Sequence, residues 1–204
     1  MFARGSASGF WAPTAPARRR CSAAWRGCSD QGSGSVTGVD AAGSPVDLTR
    51  AGPEARRAAG VSLVPEGRRI FPRLSVEETL RFAHEALRMP RAAIDDAIEE
   101  VYLRFPSLAG RRAVAAGMLS GGEQQMLSLA RAMAGGPTVL LVDEPFMGLA
   151  PKVVHELVDY FRVLRAAGVT LVVADESATA LERLGPERTV DVRSLQHGLT
   201  ERVA

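Results

Sequence analysis

Two short stretches combine residue types that could handle a phosphate ester. Leu119–Met126 reads LSGGEQQM. Ser120 and Glu123 have capping-box spacing, so a helix is expected to start there. The first backbone N–H groups of a helix are unpaired, and Gly121 and Gly122 carry no Cβ, so an anionic oxygen can approach closely. The same letters also describe an ordinary capped helix behind a glycine turn. Thr138–Pro145 reads TVLLVDEP. Its apolar run predicts a strand buried on both faces. That strand delivers Asp143 and Glu144 to the carboxyl edge of a sheet, where open α/β sheets bind ligands. Adjacent carboxylates can divide the work there. Asp143 can orient the water shell of Mg²⁺, and Glu144 can polarise an attacking water. A helix start explains an Asp-Glu pair equally well.

The flanking sequence predicts elements able to position these groups. Ser35–Asp40 reads as a short strand, and Val61–Val64 as another, ended by Pro65. Ser75-Val-Glu-Glu78 has capping-box spacing and opens a helix to about Arg88, stopped by Pro90. Ile94, Ile98, Val101 and Phe105 recur at helical spacing. A third helix begins near Ser120 with Met126, Leu129, Ala130 and Met133 as its stripe, and Gly135-Gly136-Pro137 stops it. A long helix over about Pro151–Ala167 separates the TVLLV strand from a strand at Val169–Ala174. Strand, helix, strand implies a right-handed parallel crossover. The expected class is α/β, a parallel sheet with an inserted helical subdomain at about 74–136.

Composition narrows the function. The chain has 204 residues, 46% hydrophobic, with a net charge of +2. That length supports one domain with a sizeable core, and so small a charge gives no reason to expect a nucleic-acid partner. Cys21 and Cys28 are the only cysteines, weak grounds for a disulfide or a metal site. A reduced, cytoplasmic setting is expected. No apolar run approaches the ~20 residues that span a bilayer. Service to a membrane process would therefore be as a peripheral subunit.

Taken together at this spacing, the two stretches resemble the ATP-binding-cassette family of ATPases. LSGGEQQM is similar to the family's signature motif, and LLVDEP to its Walker B strand with the catalytic glutamate. Val64–Leu80, VPEGRRIFPRLSVEETL, resembles the loop and helix entry after the second core strand, and Gly148–Pro151, GLAP, falls at the D-loop. The wording is most similar to ATPase subunits of branched-chain amino-acid importers, and the resemblance covers about Gly34 to Glu176. It implies a P-loop NTPase-like core that uses ATP and Mg²⁺. Two such domains would pair head to tail, as a homodimer or a heterodimer. Ser120, Gly121, Gly122 and Glu123 of one would face the γ-phosphate held by the other. Asp143 would serve Mg²⁺ through water, Glu144 would be the general base, and Glu66 would stand near nucleotide and metal. The partners implied are transmembrane permease subunits at the cytoplasmic face of the plasma membrane, touched through the Val64–Pro72 loop and the helices after it. A chromosome- or repair-type cassette is a poorer fit, because only a short helical patch separates Pro65 from Leu119.

The chain departs from the family in three places. Glu66 stands where most cassettes have glutamine, a replacement common in the branched-chain group. Glu176 stands where a histidine usually contacts the γ-phosphate, and a carboxylate there would repel it. His155 and His197 are not substitutes. Third, no G-x-x-x-x-G-K-[ST] phosphate loop exists, and the only lysine, Lys152, is misplaced for one.

Residues 9–22, GFWAPTAPARRRCS, suggest why. Shifted codons, each built from the last base of one codon and the first two of the next, can read L-L-G-A-N-G-A-G-K-T-T-L-L. That is a complete phosphate loop in the expected place. Residues 1–30 are therefore expected to be an out-of-register or disordered segment, and 31–204 an incomplete ATPase domain whose N-terminal strand and phosphate loop are missing or garbled. The alternative function is a catalytically inactive fragment, a binding module or pseudogene product. The chain as written is expected to bind ATP poorly and to aggregate.

Overall fold

The computed structural model describes residues 9–12, 36–39, 44–186 and 188–191. Five parallel strands form the main sheet. They are β1 (Gly9–Ala12), β4 (Val61–Val64), β5 (Val139–Asp143), β6 (Thr170–Ala174) and β7 (Arg188–Asp191), in the order β4-β5-β6-β1-β7. A small antiparallel pair, β2 (Thr37–Val39) and β3 (Pro45–Asp47), precedes α1 (Pro53–Ala58). The inserted helical region comprises α2 (Val76–Glu85), α3 (Arg91–Arg104) and α4 (Pro106–Ala109), then a 3₁₀ turn at Ala116–Met118 and α5 (Gly121–Met133). Helices α6 (Pro151–Ala166) and α7 (Ala178–Arg183) complete the order.

The register puts all the strand ends that matter on one rim. Val64 pairs with Val142, Asp143 with Ala174, and Ala174 with Trp11. Strand β5 is buried because β4 and β6 flank it and helices cover its faces. Leu140 is fully buried, as are Leu171 of β6 and Leu157 and Phe161 of α6. The same core cluster takes in Leu80, Ile94 and Ile98 of the helical region, so the insertion is packed onto the sheet by one continuous apolar body.

The sequence shows no strand periodicity over residues 1–31, yet a short strand is present there. Of the expectation that the N-terminal strand is missing or garbled, the structure leaves the second, since Gly9–Ala12 lies between β6 and β7 and pairs in parallel with both. The physical reason is that ladder hydrogen bonds are made by the backbone, and the Phe10-Trp11 step has high β-propensity. The chain thus leaves β1 at the same rim where β5 and β6 end. The proposed shifted loop at residues 13–22, Cys21, Cys28 and His197 lie outside the described residues. β3 and β7 were not anticipated, because three or four residues carry too little periodicity.

Candidate functional site

The signature stretch folds as its spacing predicts. Ser120 caps α5: its Oγ accepts from the Glu123 N–H at 3.3 Å, while Glu123 Oε2 accepts from the Ser120 N–H at 2.8 Å. Arg111 Nε lies 3.6 Å from Glu123 Oε1. The Ser120 backbone first, and Arg111 further down, hold the Glu123 carboxyl below its ordinary value. The two glycines are required for different reasons. A Cβ on Gly122 would sit 2.9 Å from both methyls of Val153, in the first turn of α6. A Cβ on Gly121 would meet Arg68 Nη2 at 3.1 Å. The tip therefore packs tightly against α6 on one side and lies under an arginine from the loop after β4 on the other.

That loop is held in an uncommon conformation. Gly67, Arg68 and Arg69 all have positive φ, at 74°, 64° and 44°. L-residues resist this region, so neighbouring contacts must fix it. Ser128 Oγ donates to the Arg68 carbonyl at 2.7 Å. Arg131 donates to the carbonyls of Arg68 at 3.2 Å and Arg69 at 2.5 Å. Burial lowers the pKa of the Arg131 guanidinium. The loop after β4 is in effect bolted along α5.

At the rim, Asp143 is buried and Glu144 is half-buried at φ 49°, with its N–H donating to the Ala174 carbonyl at 2.7 Å. Glu66 and Glu176 are exposed, each two residues past the end of its strand, β4 and β6. Adjacent parallel strands thus gather Glu66, Asp143, Glu144 and Glu176 on one edge. The structure does not join them to the tip: Ser120 and Glu123 bond each other and Arg111, not the rim acids. Among the described residues no cluster of three His, Cys, Asp or Glu side chains could hold a metal. Mg²⁺ carried with a triphosphate and bound through water would suit a buried Asp143 at the rim. His155 is exposed and bonds the Pro151 carbonyl at 2.7 Å, and Lys152 is exposed beside it.

Sequence reasoning missed two groups. Asp175 is 4% exposed, and its carboxylate accepts from Phe146 N–H at 3.2 Å and Ser177 N–H at 2.8 Å, tying the loop after β5 to the loop after β6. Its only signal was a carboxylate directly after a buried strand. The Ser128–Arg131 clamp had none, since its acceptors are carbonyls about sixty residues away in sequence.

Comparison with known proteins fits this geometry. The chain is 39% identical over 124 residues to the high-affinity branched-chain amino acid transport ATP-binding protein BraG of Pseudomonas aeruginosa, covering 61% of this chain and 52% of that protein. It is 34% identical over 119 residues to the probable branched-chain amino acid transport ATP-binding protein LivF of Archaeoglobus fulgidus, 58% and 50% covered. It is also 34% identical over 138 residues to the sulfate/thiosulfate import ATP-binding protein CysA of Mycobacterium tuberculosis, 67% and 38% covered. The chain thus spans about half the length of the two branched-chain relatives. A solved ATP-binding subunit of an ABC transporter shares the fold, with a TM-score of 0.73 at 22% identity over 92% of this chain and 75% of that one. The ABC transporter family matches residues 31–147, more than half of the sequence, and the chain belongs to that family.

Proposed function

We propose that this chain derives from the ATP-hydrolysing subunit of an importer for branched-chain or related amino acids. The observation that carries the reading is the pairing of a fully capped LSGGE helix tip with an Asp-Glu rim on a cassette fold. Within that reading, Ser120, Gly121, Gly122 and Glu123 face a triphosphate held by a second ATPase subunit, a copy or a relative. Asp143 and Glu66 serve Mg²⁺ through water, and Glu144 takes the proton of the attacking water. Phe71 and Phe82, 43% and 54% exposed and stacked edge-to-face at 5.7 Å, give the Val64–Pro72 face an apolar patch suited to a permease segment. Among the described residues no helix is long and apolar enough to cross a membrane, so a membrane role would pass through such a patch. The cytoplasmic face of the plasma membrane is the setting this implies.

A second reading concerns the chain as written, and a specific observation favours it: the sequence has no glycine-rich lysine loop after β1. Residues 1–30 are then out of register, and the chain is an inactive binding module. The family match beginning at residue 31 supports that boundary. The relatives' cargoes differ, so the solute is tested directly. Permease subunits and this chain are reconstituted in vesicles, with and without residues 10–22 replaced by L-L-G-A-N-G-A-G-K-T-T-L-L. ATP-dependent leucine uptake only with the replacement supports both readings. Uptake of sulfate but not leucine overturns the amino-acid assignment.

A further inference from the structure

Arg68 occupies a position that electrostatics alone would not choose. Its guanidinium lies over Gly121 at the start of α5, 3.1 Å from where a Cβ would be. A helix N-terminus is the positive end of the macrodipole, so a cation is disfavoured there. Among the described residues the only side-chain bond it makes is to the neutral Gln124 amide oxygen, at 3.4 Å. No carboxylate pairs with it among the described residues. The nearby Glu123 is occupied by the Ser120 N–H and by Arg111. Yet the placement is enforced. Arg68 sits at φ 64° between two other left-handed residues, and Ser128 and Arg131 hold its carbonyl. A backbone outlier fixed by its surroundings, with a cation laid on an anion-binding tip, is a local conflict that an anion would resolve.

We propose that Arg68 is a further binding residue of the signature site, giving a charge-assisted contact to the terminal phosphate of a triphosphate held by the facing subunit. This rests on the signature reading above and adds to it a residue outside the LSGGE stretch. Gly121 then has a second role beyond the approach of phosphate oxygens: it leaves room for the guanidinium. The planar fork of arginine suits two phosphate oxygens at once, which lysine cannot match.

The test uses the full chain and inorganic tripolyphosphate at low ionic strength, followed through the backbone amide NMR signals of Ser120, Gly121 and Gly122. Saturable shifts at these three amides are expected in the unsubstituted chain. Arg68→Gln should weaken the apparent affinity about tenfold or more, the loss of one charge-assisted hydrogen bond. Arg68→Lys should recover only part of it. Arg112→Gln, which removes an exposed charge bonded to Glu99 and not to the tip, should change it less than threefold. Equal binding by the unsubstituted chain and Arg68→Gln overturns the role of Arg68 while leaving the signature reading intact. Loss of binding equal in Arg112→Gln and Arg68→Gln also overturns it, since bulk charge then suffices. No binding at the tip in the unsubstituted chain overturns both. Unchanged amide signals for Ser128 and Arg131 in each variant show that the clamp has survived.

Discussion

In the proposed reading the signature tip and the exit of β1 are the two halves of an ATP site, and this chain treats them differently. At the tip, each requirement is met by a specific residue: Ser120 and Glu123 cap the helix reciprocally, Gly122 fits under Val153, and Ser128 and Arg131 fix the adjoining loop. At the exit of β1 only the generic requirement is met. Gly9–Ala12 fills the central strand position, but Pro13, Thr14, Ala15, Pro16 and Ala17 follow, with no glycine loop and no lysine. Strand position is set by backbone ladders that many tetrapeptides can make. A phosphate cradle needs particular residues in a particular order. A sequence without a phosphate cradle can therefore still complete the sheet.

The sharpest break of this comparison joins the halves. In the chain with residues 10–22 replaced by the shifted loop, Glu144→Gln should lower the rate of phosphate release from ATP by about 100-fold or more, with ATP affinity nearly unchanged. A modest loss would mean that Glu144 is not the base. Next is the latch between the two rim loops. Asp175→Ala strips the acceptor from the Phe146 and Ser177 N–H groups, and urea unfolding should show a loss of about 2–4 kcal/mol. Smaller is Gly122→Ala, which crowds Val153 and should cost about 1–3 kcal/mol. Gly110→Ala has nothing within 4 Å of the new Cβ and an ordinary φ of −71°, so it should be neutral or slightly stabilising.

The smallest effect is a pH dependence. The Glu123 carboxyl lies below the ordinary glutamate value of 4.5 in the folded chain, chiefly through the Ser120 N–H. A depressed folded value means that its stabilisation is present above pH 4.5 and is lost as pH falls through the folded value. Thermal melts from pH 6 to pH 3 should lose less stability in Glu123→Gln than in the unsubstituted chain. The difference should stay below about 1 kcal/mol, because the carboxylate is partly exposed and screened.

Elements carrying strong periodicity or caps were legible in the sequence. The helices from Val76, Arg91, Gly121 and Pro151 and the strands at Val61 and Val139 fall where the spacing put them. So did both capping boxes, because they are local. What escaped was set by distant partners. β1 and β7 exist because β6 and each other offer ladders. The clamp on Arg68 depends on carbonyls brought to α5 by the fold, and Asp175 on an N–H from the loop after a neighbouring strand. Of the candidate site, the cap at Ser120 and the strand-end placement of the acids were legible, while the groups that hold their loops in place were not.

Titration of ATP against the 204-residue chain, beside the same chain with residues 10–22 replaced by L-L-G-A-N-G-A-G-K-T-T-L-L, tests most directly whether one half of the site is lost. Several charge-assisted hydrogen bonds at about 1.5–3 kcal/mol each should make the replaced chain bind at least about 1,000-fold tighter. Equal, saturable ATP binding by both chains would contradict the account.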